Sequence, residues 1–514
     1  MKSTKLPKNT KLMETTKEKI QKRAYFGKKG YTIPKSCLQE EEYEYIKESL
    51  LMTPFVMGSF GKTQTSFPIY RENDAKIYIP RFYGVEEFGL PNRSELQIGE
   101  SIDLDFPKEL RDYQTKVVNI YMDYVEKPIC VGSEEYGGGG ILELPCGYGK
   151  TVLSLKIISR LKKKTLILVH KEFLMNQWIE RITEFLPSAR VGKIQGSTFE
   201  VDGNDIVIGM IQTLHSRDFP SEAFAPFGLT VIDEVHRIGS EEFSKTLLKT
   251  VTPYMLGISA TVERKDRLTK ILYMFIGKKI FSVDRNDDDP VSVRALHYRT
   301  SDSEFNETDC DYRGNPKYST MITKLCAFGP RSDFIIKVIQ DLIEENPEKQ
   351  IMILAHNRAL LTYLYDAIHH HISEDTNTVG YYVGGMKEKD LKITESKKIV
   401  LATYAMAAEA LDIKTLSTLI MATPKTDIEQ SVGRILRTRG QNPIVVDIVD
   451  SHDYLKRQWQ KRKTFYKKCN YKIFSIPSTE YCRFDESFPL WKLEYDPKKK
   501  SKETKKCLIN VSFD

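Results

Sequence analysis

Two stretches of this 514-residue chain hold residues whose types and spacing can do chemistry. Residues 140–151 read GILELPCGYGKT and run into VLSLKIISRLKKK. An apolar run, a short glycine loop, a Lys-Thr pair and an amphipathic segment form the layout of a phosphate cradle. Gly147 and Gly149 let the backbone turn its N–H groups inward, and the start of the following helix adds partial positive charge. Lys150 is expected at the β- and γ-phosphates of ATP and Thr151 at Mg²⁺. Cys146, Tyr148 and Val152 are expected to complete the nucleotide lining. The match to G-x-x-x-x-G-K-[ST] lacks its first glycine, because Leu144 stands there. Residues 229–236, LTVIDEVH, form an apolar run that ends in two carboxylates. Strand ends of a parallel sheet face the ligand crevice. Asp233 is therefore expected to hold Mg²⁺, and Glu234 to orient and polarise the attacking water. Cradle first and acidic pair later is the order of a P-loop NTPase.

These residues need a scaffold, and the chain supplies an α/β rhythm. Apolar, β-rich runs at 140–144, 165–169, 205–210, 229–232 and 255–258 alternate with longer helical segments. A second series follows at 350–354, 379–383, 398–402, 418–421 and 444–448. Such alternation predicts βαβ units and parallel sheets. The charged stretch 284–290, DRNDDDP, ends in proline and reads as a linker between the series. The expected fold class is α/β, with two tandem RecA-like P-loop lobes. Its expected divisions are a basic disordered arm (1–30), an N-terminal accessory region (31–105), lobe one (106–285), lobe two (286–455) and a basic C-terminal extension (456–514). Within the accessory region, 40–51 reads as a helix and 76–83, KIYIPRFY, alternates like a strand.

The order of motifs across residues 106–445 resembles the superfamily 2 helicases of DExH type. It is most similar to the XPB-like DNA helicases and the transcript-release helicases of poxviruses and other large DNA viruses. LRDYQ looks like that family's Q motif, which implies that Gln114 reads the adenine edge. LPCGYGKT looks like its phosphate loop and DEVH like its DExH box. The resemblance implies that His236 couples the γ-phosphate site to the SAT turn of GISATVERKD, where Ser259 and Thr261 lie. Arg264-Lys265-Asp266 departs from the family's Arg-Glu-Asp at Lys265. LVHKEFLMNQW and MIQTL resemble strand-gripping motifs, implying nucleic-acid contacts at Lys171, Gln177 and Thr213; Trp178 itself is expected in the core. In the second lobe IMILAHNRALL and VGYYVGGM imply contacts at His356, Asn357 and near Gly384. ATYAMAAEALDIKTLSTLI implies one at Thr403, with Glu409 and Asp412 toward ribose and coupling; Ala410 replaces the family's glycine. DIEQSVGRILR resembles the arginine-finger motif, implying that Gln430, Arg434 and Arg437 meet the nucleotide on closure of the cleft between lobes.

Composition narrows the partners. Hydrophobic residues make 40% of the chain and charged residues 29%, an ordinary globular balance. Residues 1–30 carry +8 and residues 497–506 carry +5 of a formal total of +7, so the body between them is acidic. Basic ends suit a polyanion. The eight cysteines include no C-x-x-C pair, which argues against a zinc ribbon. Three consecutive histidines, His369–His371, cannot all face one metal from a helix. No signal peptide or apolar run of about 18 residues is present, so an intracellular setting is expected: host cytoplasm, virion or nucleus. Taken together, the expected activity is ATP-driven movement along nucleic acid or its unwinding. The resemblance favours DNA over RNA, with 3′→5′ polarity and viral transcription machinery as the implied partner. An RNA helicase and a transcript-displacing translocase fit the same motifs. A restriction-type motor subunit would need a P-D…(D/E)-x-K nuclease cluster, which is not found. A non-catalytic scaffold sits poorly with intact Lys150, Glu234 and Arg434.

Overall fold

The computed structural model describes residues 14–55, 65–145, 147–220, 222–237, 241–264, 266–283, 291–372, 375, 378–409, 413, 415–433 and 442–497. The chain divides into two compact units between Asp284 and Arg285. The linker expected at 284–290 lies outside the described residues.

The first unit is built on an eight-stranded sheet. Its order is Thr198–Phe199, Val191–Gln195, Ile206–Met210, Thr165–Val169, Leu229–Asp233, Tyr254–Ser259, Gly138–Glu143 and Lys279–Ser282. All neighbours are parallel except the first pair. Every residue of Thr165–Val169 and Leu229–Asp233 is buried, because helices cover both faces. That burial is why these strands read as continuous apolar runs.

The second unit repeats the plan. Its order is Val379–Tyr382, Ile399–Thr403, Gln350–Ala355, Leu416–Met421, Ile444–Asp450, Ser292–Tyr298, Lys472–Pro477 and Lys492–Tyr495, parallel except for the last pair. Two fully buried ion pairs brace it. Arg331 meets Asp450 and Arg462 meets Asp447. The fold is thus α/β with two RecA-like lobes.

Three expectations are corrected. Residues 14–30 of the expected disordered arm are folded; residues 1–13 lie outside the described residues. Helix Glu14–Arg23 buries Thr16 and Ile20, and the Thr16 hydroxyl donates to Glu42 Oε1 at 3.0 Å. The lysine count hid this amphipathic spacing. Tyr25–Gly27 then starts a four-stranded antiparallel sheet with Gly30–Pro34, Lys76–Ile79 and Arg71–Glu72. The expected strand 76–83 stops at Ile79, since Pro80 has no N–H to pair. Arg81–Phe88 is instead a helix that buries Arg81, Gly84 and Phe88, spaced three and four apart. Its Arg81 guanidinium is 5% exposed and donates to the carbonyls of Thr252 (3.0 Å) and Pro253 (2.6 Å), fastening the N-terminal sheet to lobe one. Third, the described part of the extension, 456–497, is not an appendage. Helix Asp453–Lys468 spans that boundary and supplies Arg462 to the lobe. Strand Lys472–Pro477 pairs with Ser292–Tyr298 inside the second sheet. No described helix is long and apolar enough to cross a membrane.

Candidate active site

The glycine loop leaves the C-terminal end of strand Gly138–Glu143 and enters helix Lys150–Leu161. Gly147 and Gly149 have φ of 81° and 83°, the left-handed region that glycine tolerates. A Cβ on Gly149 would stand 2.4 Å from Gln114 Nε2, so the Q-motif amide seats directly against the loop. Gln114 is 7% exposed. Its Oε1 accepts from Arg111 N–H at 3.0 Å and its Nε2 donates to the Tyr148 carbonyl at 3.5 Å. Tyr113 and Tyr148 add a ring contact at 4.4 Å. Gln114 therefore serves the helix start and the loop in this state, rather than presenting a free amide edge. Thr151 and Val152 lie in the helix's first turn, both partly exposed. Cys146 lies outside the described residues.

The acidic pair ends strand Leu229–Asp233, two strands across the sheet from the loop's strand. Lys150 Nζ lies 2.9 Å from Glu234 Oε1, a partly buried ion pair that joins cradle and acidic pair. Glu234 holds φ at 51°, left-handed for a non-glycine residue, a strained geometry of the kind that clusters at functional sites. Burial pushes its carboxyl up, but Lys150 and His236 outweigh burial and hold it well below the usual range. Asp233 is 8% exposed, and its Oδ2 accepts from the indole N–H of Trp178 at 3.0 Å. Burial, reinforced by the charge of Glu234, raises the Asp233 pKa.

His236 is wired to the next motif. The Ser259 hydroxyl donates to the Thr261 carbonyl at 2.6 Å, so His236 Nδ1–H is the donor in its 2.7 Å bond to Ser259 Oγ. The same Nδ1 stands 3.3 Å from Glu234 Oε2, a buried oxygen outside hydrogen-bond geometry. Arg264 reaches the His236 carbonyl and pairs with Asp266; Lys265 lies outside the described residues. The structure thus gathers Gln114, Gly147, Tyr148, Gly149, Lys150, Asp233, Glu234, His236, Ser259 and Thr261 at one edge of the first sheet. The donor set fits a triphosphate with a divalent cation. It offers inward-turning glycines, a lysine ion-paired to an acid of the same site, and two carboxylates with a buried unbonded oxygen.

The expected nucleic-acid contacts divide. Lys171 and Gln177 lie on or beside helix Glu172–Phe185, partly exposed. Thr213 does not face solvent. It is 8% exposed and its Oγ1 accepts from Gly196 N–H at 3.0 Å, while the neighbouring Gln212 is exposed. In the second unit His356, Asn357 and Thr403 follow or end strands Gln350–Ala355 and Ile399–Thr403, at the carboxyl edge of the sheet. Asn357 caps helix Arg358–His371, accepting from Ala359 N–H at 2.7 Å, which commits its side chain to the fold. His356 bonds Thr423 and lies 4.7 Å from the Tyr404 ring. Ring burial and Lys425 push its pKa down to about 4, so it stays neutral. Asp412, Arg434 and Arg437 lie outside the described residues; Gln430 falls in helix Glu429–Gly433, its side chain undescribed. The missed residue is Trp178. Its signal was chemical rather than positional, a donor-only indole on the helix after a strand that neighbours the acidic strand.

A loop cradle, an acidic pair and a histidine bonded to a serine turn, on a parallel sheet, define a P-loop motor ATPase. The family model described as "Type III restriction enzyme, res subunit" matches residues 107–264. A protein of Acanthamoeba polyphaga mimivirus named as an ATP-dependent RNA helicase is 34% identical over 473 residues, 90% of this chain and 88% of its own. One of African swine fever virus, named likewise, is 30% identical over 403 residues, 74% of this chain and 75% of its own. The DNA 3'-5' translocase XPB2 of Sulfurisphaera tokodaii is 33% identical over 194 residues, 36% of this chain and 40% of its own. The chain belongs to the superfamily 2 helicases, in the group found in large DNA viruses. It is an ATP-hydrolysing enzyme, and its substrate is nucleic acid.

Proposed function

We propose that the chain couples ATP hydrolysis to 3′→5′ movement on DNA, with the first lobe's cradle as the hydrolytic site. The observation that carries the site is the 2.9 Å ion pair between Lys150 and Glu234. Before ATP binds, Lys150 neutralises the general base. When ATP arrives, the γ-phosphate draws the ammonium away and releases Glu234 from the lysine, with His236 still beside it. Glu234 then orients a water and accepts its proton. Thr151 and Asp233 would hold Mg²⁺, which when bound neutralises charge developing on the phosphates. The bond from Gln114 to Tyr148 steadies the loop beneath adenine, and His236 passes the state of the γ-phosphate site to Ser259 and Thr261. Asp412, Gln430, Arg434 and Arg437 are assigned to the nucleotide by the motif resemblance, the arginines supplying charge that speeds turnover by a factor of about 10³ or more.

Lys171, Gln177, His356 and Thr403 are proposed to meet the nucleic acid; Thr213 and Asn357 support the backbone that does so. The archaeal translocase's name favours DNA, while Lys265, where the family's Arg-Glu-Asp element has Glu, counts against carrying over a DNA-opening role from that element. The names of the viral relatives favour RNA as the second reading. Viral transcription machinery is the proposed partner. ATPase rates compared with single-stranded DNA, duplex DNA and RNA, alongside unwinding of a labelled fork, discriminate. The proposal expects strongest stimulation by DNA; stimulation by RNA alone overturns it.

A further inference from the structure

Trp178 does something that simple core filling does not require. It is 1% exposed on helix Glu172–Phe185, and a phenylalanine or leucine would fill much of that volume. Its indole N–H instead ends on Oδ2 of Asp233, 3.0 Å away and 55 residues on in the chain. The sheet makes this meeting possible. The helix packs on Thr165–Val169 and Ile206–Met210, and Thr165–Val169 pairs in parallel with Leu229–Asp233, so the long indole reaches past one strand to the carboxylate at the end of the next.

We infer that Trp178 is a positioning residue for the metal-binding carboxylate, fixing Asp233 through a neutral donor. The chemistry of the donor is specific. An indole N–H can only donate, so it can hold a carboxylate oxygen but cannot turn round and accept from it. Lysine or arginine could hold Asp233 as firmly, but would bring a positive charge that repels a divalent cation. Serine, glutamine or asparagine could swing between donor and acceptor roles. The indole orients one oxygen and leaves the negative charge for the cation. Partners of metal-ligating groups that act this way are worth about 10- to 100-fold in metal affinity. Trp178 also follows Gln177 directly on its helix. A shift of that helix on nucleic-acid binding therefore moves a group bonded to the hydrolytic site.

This inference rests on the assignment of Asp233 to the metal, and the experiment separates the two. Mn²⁺ binding to the full chain is measured by electron paramagnetic resonance in the presence of ADP, for wild type, Trp178→Phe and Asp233→Asn. ADP affinity is measured in EDTA as a metal-free control. The account expects Trp178→Phe to weaken Mn²⁺ about tenfold while metal-free ADP affinity stays unchanged. Wild-type Mn²⁺ affinity in Trp178→Phe overturns the role of Trp178. Unchanged affinity in Asp233→Asn overturns the metal assignment and the inference with it. A second readout survives any folding defect in the variant. The chain has three tryptophans, so ¹⁵N-labelled wild type gives three indole N–H resonances. The Trp178 resonance is expected to move with Mg²⁺ and ADP and to stay put with ADP in EDTA. A resonance indifferent to Mg²⁺ overturns the inference.

Discussion

At the residue scale the site is a set of charges held in tension. Asp233 and Glu234 are adjacent, yet burial raises one while Lys150 and His236 depress the other. The neighbours differ because Glu234 turns to Lys150 and Asp233 to the Trp178 indole, so adjacent carboxylates enter different surroundings. Glu143, at the end of the loop's strand, shows the same physics in a supporting position. Its carboxylate accepts from Val262 N–H (2.8 Å), Lys279 Nζ (2.6 Å) and Ser282 Oγ (2.9 Å). Burial pushes its pKa up, but Lys279, Val262 and Ser282 together bring it below the ordinary 4.5. A carboxyl depressed in the folded state stabilises the fold fully above its unfolded pKa, and that stability is lost as pH falls through the folded value. Glu143→Gln should therefore cost about 1–2 kcal/mol at pH 7. The gap between the two melting temperatures should close as pH falls below about 4.5. A gap that is constant with pH would remove the ionised carboxylate from this account.

At the element scale, strands and motifs were legible in the sequence because both are local patterns. The expected run 165–169 coincides with the observed Thr165–Val169, and 350–354 is one residue short of Gln350–Ala355. Fully buried strands write themselves as apolar runs. The two strands of the C-terminal segment were not legible: Lys472–Pro477 is flanked by charge, and Lys492–Tyr495 is an exposed edge. The site shows the same division. The types and order of Lys150, Asp233, Glu234 and His236 could be read directly. The burial of Thr213 against Gly196 and the bond from Trp178 to Asp233 depend on which elements lie side by side, and no local spacing encodes that. Gly149 is where element and site meet. Its left-handed φ strains any residue with a side chain, and a Cβ there would push the Gln114 amide off the loop. Gly149→Ala should weaken ATP binding by at least tenfold while costing about 1–2 kcal/mol of stability, measured by nucleotide titration and thermal unfolding. Unchanged ATP affinity would show that the loop does not need this conformation.

At the scale of the whole molecule, the chain is two parallel-sheet units of the same design with additions absorbed into each. The N-terminal sheet is fastened to the first lobe by the buried Arg81, and the C-terminal helix and strands complete the second lobe's sheet. The central claim is that Glu234 is the base and that Lys150 restrains it until ATP binds. Glu234→Gln, assayed for ATP binding and for DNA-stimulated phosphate release, tests this most directly. The account predicts ATP affinity within a few-fold of wild type and turnover reduced by about 10²–10⁴. Turnover at the wild-type rate in that variant would contradict it.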